Sequence, residues 1–178
     1  METIPRKTII LNLNPKKYLT ELLWVLKARS TDKSREQLKY LNIDDTGYCC
    51  TDGRRLHFSS NRKNLPGGLE NGLYEVIIAK DLIIFQPQEG TFPDYKVIIP
   101  KDSEAPLKLN INVDSVSISC ALTEISCKIL NGENSINYDY LKDLTNNSWM
   151  VHGAPGAAVK FVAHGILAIV MPLILDTN

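Results

Sequence analysis

The sequence predicts an α+β fold. Two halves each run strand, helix, then several strands, giving antiparallel sheets with two helices on one face. Three observations lead there. Short alternating apolar runs recur along the chain, punctuated by Gly, Pro, Asn and Asp. Helical spacing is confined to 14–29 and 137–144. The order of elements in the first half returns in the second, without any residue-level repeat.

Thr8 to Leu13 reads as a strand. Asn14-Pro15 then opens a helix reaching about Arg29, because Asn caps well and Pro at the first helical position loses no bonded N–H. Leu19, Leu22, Leu23 and Leu26 share one face, with Tyr18 at its edge. Lys16, Lys17, Thr20, Glu21, Trp24 and Lys27 take the opposite face. Ser30 to Gln37 is a charged loop.

Strands follow. Leu38 to Ile43 is apolar-rich, Asp44-Asp45-Thr46-Gly47 is a turn, and Tyr48 to Ser59 is a hairpin centred on Thr51-Asp52-Gly53-Arg54-Arg55-Leu56. Gly supplies the positive φ of a tight turn, and two arginines give the hairpin a basic tip. Asn64 to Gly68 is a loop, Gly72 to Ala79 a strand and Leu82 to Gln86 another. Pro87 to Tyr95 is irregular, and Lys101 to Pro106 reads as a linker.

In the second half, Leu107 to Val113 and Ser115 to Ala121 both alternate as strands, and Ser126 to Leu130 does so more weakly. Asn137 to Leu144 is a short helix. Ser148 to His152, Ala158 to Ala163 and Ile166 to Leu175 are strands.

Composition narrows the function classes. The 178 residues carry 44% hydrophobic and 22% charged side chains, ordinary for a soluble globular protein. Twenty basic and twenty acidic residues balance, so any attraction to nucleic acid must come from a local patch. The N-terminal stretch is polar and unlike a signal peptide. Gly165 to Leu175 is too short an apolar run to cross a bilayer. Cys49, Cys50, Cys120 and Cys127 lack metal-ligand spacing and read as reduced, mostly buried thiols of a cytoplasmic protein.

No phosphate loop is present: Gly67-Gly68 and Gly153-x-x-Gly156 lack the required lysine and setting. His57, His152 and His164 sit on separate strands, with no carboxylate at helical or hairpin spacing. The residues therefore point to no cofactor, no metal and no enzyme activity. A small enzyme using His57 or His152 is the outlying alternative.

Four segments, in order, resemble the bacterial sliding clamp, the β subunit of DNA polymerase III. They are Cys50-Thr51-Asp52-Gly53-Arg54-Arg55-Leu56; Glu89-Gly90-Thr91-Phe92-Pro93-Asp94-Tyr95 with the following Lys96 to Pro100; Ile136-Asn137-Tyr138-Asp139-Tyr140-Leu141 with Lys142 to Leu144; and Ile169-Val170-Met171-Pro172-Leu173. The second is the most specific.

The resemblance implies a DNA-clamp-like fold and a pocket for short peptides of DNA polymerases, clamp loaders and repair proteins. Its implied lining is Thr51, Gly53, Arg54, Leu56, Pro100, Asn137, Tyr140, Val170, Met171, Pro172 and Leu173. Met and Leu would give an adaptable apolar floor, while Arg and Asn would supply directional hydrogen bonds. It also implies that the helices face duplex DNA. The first helix and its continuation offer Lys16, Lys17, Lys27, Arg29, Lys33 and Arg35 for that role. The second offers only Lys142, offset by Asp139 and Asp143.

The early segments match that family's middle domain and the late segments its last. The expected organisation is a single clamp-like domain over 1–178, with halves at approximately 8–100 and 107–175 and a connector at 87–106. Two shrunken domains are the alternative. The expected function is a non-enzymatic, clamp-like replication or repair accessory protein that binds partner peptides and duplex DNA and self-associates if it forms a ring. The alternative is a clamp-derived interaction module that does not encircle DNA.

Overall fold

A computed structural model describes residues 7–12, 19–79, 81–132 and 134–174. The expected helix start at Asn14-Pro15, with Lys16, Lys17 and Tyr18, lies outside them. Packing divides the chain into two units, Met1–Pro93 and Asp94–Asn178.

The first unit holds β1 (Ile9–Asn12), β2 (Leu41–Asp44), β3 (Gly47–Thr51), β4 (Arg55–Ser59), β5 (Gly72–Ile78) and β6 (Leu82–Gln88). They form an antiparallel sheet in the order β1-β6-β5-β2-β3-β4. The β2–β3 turn is closed by Asp44, whose Oδ1 accepts from the Thr46 and Gly47 amides at 2.8 and 3.1 Å. This is the local bonding that makes Asp a turn residue. A 3-10 helix over Glu36–Lys39 delays β2, so the strand expected from Leu38 starts at Leu41.

One α-helix, α1 (Leu19–Leu26), packs on this sheet. Leu22, Val25 and Leu26 are buried among Leu41, Ile43, Tyr48, Cys50, Tyr74, Val76 and Phe85. Each such side chain contributes about 1.5–3 kcal/mol on leaving water. The helix is rotated from the expected orientation. Leu23 is 38% exposed, whereas Glu21 and Trp24, expected outside, are half-buried. The amides of Lys27, Ala28 and Arg29 bond three residues back, so the last turn tightens into 3-10 geometry.

The second unit runs β7 (Leu107–Ile111), α2 (Ser115–Lys128), β8 (Asn134–Ser135), α3 (Tyr138–Lys142), β9 (Asn147–His152), β10 (Val159–Ala163), β11 (Ile166–Val170) and β12 (Leu173–Ile174). Four of these strands form an antiparallel sheet in the order β11-β10-β9-β7, and β8 pairs with β12 in a separate ribbon. Trp149 anchors the core: its Nε1 donates to the Leu144 carbonyl at 2.7 Å, and its ring meets Phe161 edge-on at 6.1 Å.

α2 corrects the sequence reading. Ser115 to Ala121 and Ser126 to Leu130 were expected as strands, yet they lie in this helix and its end. Asp114 caps it, its Oδ1 accepting from the Ser117 amide at 2.7 Å. Ile118, Ala121 and Ile125 are buried at helical spacing. The described residues thus hold three α-helices rather than two. The thiols differ as well: Cys49 and Cys50 are buried, but Cys120 and Cys127 stand exposed on α2. Finally, Ile166 to Leu175 is not one strand. It breaks at Met171-Pro172, where Pro has no N–H to give a ladder.

Candidate partner-binding surfaces

Hydrogen bonds fix the hairpin tip of the first unit from several sides. Thr51 Oγ1 donates to the Arg55 carbonyl at 2.6 Å and accepts from the Gly53 amide at 3.0 Å. Asp52 Oδ1 accepts from the Arg54 and Arg55 amides at 2.8 and 2.9 Å, and Oδ2 lies 3.1 Å from Arg55 Nε. Arg55 also donates through Nη2 to the Lys27 carbonyl at 2.7 Å, tying the hairpin to the end of α1. The paired arginines therefore differ in role. Arg55 is half-buried and structural, while Arg54 is exposed, with no side-chain partner among the described residues. Leu56 is fully buried, Thr51 is buried and Gly53 is exposed with φ +88°.

Beneath the hairpin lies a polar hub that no local motif announces. Glu21 accepts from Tyr48 Oη at 3.0 Å, from Ser59 Oγ, from Asn61 Nδ2 and from Asn64 Nδ2 at 3.1 Å. The donors come from β3, β4 and the segment after β4, 27 to 43 residues from Glu21, so only the tertiary fold assembles them.

The second unit gathers the other expected residues. Leu173 pairs with Ser135 across the β8–β12 ribbon. Two residues further on, Asn137 caps α3, its Oδ1 accepting from the Asp139 amide at 2.8 Å. Tyr140 is half-buried one turn into α3. Val170 is buried at the end of β11, Met171 and Leu173 are 43% and 41% exposed, and Pro172 is half-buried. Pro100 is held by its carbonyl, which accepts from Lys160 Nζ at 2.6 Å. Lys160 lies opposite Ile169, next to Val170.

Lys160 belongs to a cluster missed in the sequence. Its side chain is buried, and Nζ lies 2.6 Å from Asp102 Oδ1. The Lys160 hydrogen bond, with its charge, holds the Asp102 carboxyl below the ordinary value. Beside it, His152 Nδ1 accepts from the Ser103 amide at 2.9 Å, placing the ring proton on Nε2, 3.7 Å from Asp102 Oδ1. The Ser103 hydroxyl bonds Gly153 instead of the imidazole, so this is not a nucleophile–base pair. His57 is equally structural: it stacks on Trp24 at 4.3 Å, with Nδ1 2.8 Å from the Trp24 carbonyl.

The expected DNA-facing residues are scattered in their engagement. Lys16 and Lys17 fall outside the described residues. Lys27 and Lys33 are exposed. Arg29 donates to the Val76 carbonyl at 3.3 Å, and Arg35 to the Asp52 carbonyl at 3.3 Å. On α2 the exposed positions include Ser115, Val116, Ser119, Cys120, Thr123 and Cys127, and Lys128 is paired with Glu124 at 2.8 Å. Lys142 on α3 pairs with Asp139 at 2.6 Å. No helix among the described residues is long and apolar enough to cross a membrane.

Antiparallel sheets carrying a helix in each half define a DNA-clamp type of α+β fold. No family model and no curated protein matches the sequence. Solved structures do match. The DNA polymerase III β chain of Streptococcus pneumoniae TIGR4 is 15% identical with a TM-score of 0.60, over 98% of this chain and 67% of that one. The β subunit of Thermotoga maritima is 14% identical with a TM-score of 0.60, over 99% and 68%. The Helicobacter pylori β clamp bound to a DNA ligase peptide is 14% identical with a TM-score of 0.57, over 98% and 68%. The fold is that of the bacterial sliding clamp, the DNA polymerase III β subunit. The chain spans about two thirds of the length of those proteins.

Proposed function

We propose that this chain is a non-enzymatic, clamp-like accessory protein of DNA replication or repair that captures short partner peptides. One observation carries the reading. Met171 and Leu173 are exposed apolar side chains at the start of the β8–β12 ribbon, which pairs Leu173 with Ser135, two residues before the Asn137 cap of α3. An apolar surface beside a directional polar group suits capture of a peptide carrying an aliphatic anchor. The clamp fold and the peptide-bound Helicobacter pylori neighbour support it. We assign Pro100 and Pro172 to the rest of this surface in the second unit; Val170, expected in the lining, is buried at the end of β11. The hairpin of the first unit is proposed as a further partner contact through exposed Arg54 and Gly53, whereas Thr51 and Leu56, expected in the lining, are buried and hold the hairpin's shape. DNA polymerase, clamp-loader and repair-protein peptides are the expected partners. We place the chain in the cytoplasm, as one clamp-type domain built from its two strand-helix-strands halves.

Fluorescence polarisation with a labelled clamp-binding peptide tests this. The wild type is expected to bind, Met171→Asp to lose binding and Arg54→Ala to weaken it. A wild type that does not bind sinks the proposal.

The second reading, an interaction module that does not encircle DNA, draws on α2. Most of its exposed positions are uncharged, and the basic residues Lys128 on α2 and Lys142 on α3 are already paired. Such helices offer phosphates little. Native mass spectrometry separates the two: a closed ring supports encirclement, and a stable monomer supports the module. Salt-sensitive retention on duplex DNA that survives Lys27→Glu and Lys33→Glu would exclude those two lysines as its cause.

A further inference from the structure

In the first unit, segment 34–40 and segment 87–93 enclose an open groove of about 760 Å³. Tyr40, Pro87 and Pro93 give it apolar lips, and Glu36 and Glu89 place two carboxylates on it. Arg35 is the basic residue of the lining, and its guanidinium is engaged elsewhere: Nη1 bonds the Asp52 carbonyl at 3.3 Å and Nε lies 4.0 Å from Asp32. Glu89 has no hydrogen-bond or ion-pair partner among the described residues. Glu36 is met only by the Tyr40 hydroxyl, at 3.2 Å. The groove therefore combines apolar patches at Tyr40, Pro87 and Pro93 with carboxylates that have no cationic partner among the described residues.

We propose that this groove receives a lysine or arginine side chain presented by a partner protein. The match is one of chemistry. Both residues carry a methylene stem that packs on apolar surface and a cationic head that stays hydrated at the rim. The Tyr40 ring and the two prolines take the stem, and Glu36 and Glu89 take the head. Burial first, and then the charge of the groove carboxylate Glu36, push the Tyr40 phenol above its ordinary value. Gly90 stands beside Gln37 of the groove, where a Cβ would make only ordinary contacts, at 3.7 Å to Gln37 Cγ and 3.4 Å to Leu73 Cδ1, and its φ of +131° favours glycine. The groove's lining shares no residue with the proposed peptide surface, although its Arg35 also bonds the hairpin at the Asp52 carbonyl.

Nuclear magnetic resonance titration of the full chain provides the test. N-acetyl-arginine amide and N-acetyl-lysine amide are the probes, with N-acetyl-glutamine amide as the neutral control. Saturable shifts confined to the amides of 34–40 and 87–93, seen with the cationic probes and absent with the control, are expected. The double variant Glu36→Gln, Glu89→Gln keeps the Tyr40 acceptor and should weaken binding about fivefold or more, the scale of two exposed charge contacts. Added salt should weaken it too. Equal shifts from the neutral control, no saturation, or unchanged binding by the double variant would each overturn the proposal.

Discussion

Arg35 closes over the hairpin tip: its Nη1 donates to the carbonyl of Asp52 at 3.3 Å, and a Cβ on Gly53 would lie 2.5 Å from that same nitrogen. The hairpin is thus shaped by its own Asp-Gly turn and by a side chain from the loop after α1. Gly53 must remain small for both reasons, since its φ of +88° is already costly for any other residue.

Gly53→Ala is accordingly expected to destabilise the protein by about 1–2 kcal/mol in urea denaturation. In an Arg35→Ala background the same change should cost less, because the steric part is relieved and the backbone part stays. Equal costs in the two backgrounds would show that Arg35 does not crowd the turn.

Glu21 should be the most sensitive polar position of the first unit. Tyr48, Ser59, Asn61 and Asn64 all donate to it, so Glu21→Ala strands several donors at once. A loss of about 2–4 kcal/mol is expected in thermal or urea melts. A loss comparable to that of Thr20→Ala, an exposed neighbour, would contradict the hub.

Much of this was legible in the chain, and the failures share a physical cause. The turns at Asp44 to Gly47 and Asp52-Gly53, and the Asn137 cap, are local chemistry, so sequence located them. The α2 region misled because Ser115, Ser117 and Ser119 alternate with Val116, Ile118 and Cys120 in strand-like fashion. Ile118, Ala121 and Ile125 behind the Asp114 cap were the helical signal that alternation masked. Glu21 and Trp24 looked like an outer helix face because charge suggests water. Only the donors arriving from β3, β4 and the segment after it turn Glu21 inward. Lys160 and Asp102 lie 58 residues apart, and no spacing rule connects them.

Tyr48 predicts an alkaline limit to stability. Burial first, and then the neighbouring Glu21 charge, raise its phenol well above the ordinary 10, with the Ser59 hydrogen bond opposing. The unfolded chain therefore ionises this group near pH 10 while the folded protein keeps it neutral. Stability should be unaffected below that pH and should fall as pH rises above it. Tyr48→Phe should flatten the decline between pH 10 and 11 in urea midpoints. An unchanged slope would remove Tyr48 as its source.

The Lys160–Asp102 pair predicts the opposite limb. Lys160 is buried, and its Nζ divides its bonds between the Pro100 carbonyl and the Asp102 carboxylate, both at 2.6 Å. The folded Asp102 titrates below the ordinary 3.8, through the Lys160 hydrogen bond first, then the Lys160 charge, with a smaller contribution from His152. A carboxyl depressed on folding stabilises the protein above its unfolded value, and that contribution fades as pH falls through the folded value. Asp102→Asn should therefore lower the urea midpoint at pH 7 and make progressively less difference below pH 3.8. Lys160→Ala removes the donor to Pro100 as well and should cost about 1–3 kcal/mol at pH 7, since it leaves polar groups without their partner. If Pro100 helps form the peptide surface, Lys160→Ala should also weaken peptide binding, whereas Lys160→Arg, which keeps a cationic donor, should restore part of it. Peptide affinity that ignores Lys160 altogether would separate the Lys160–Pro100 contact from the site.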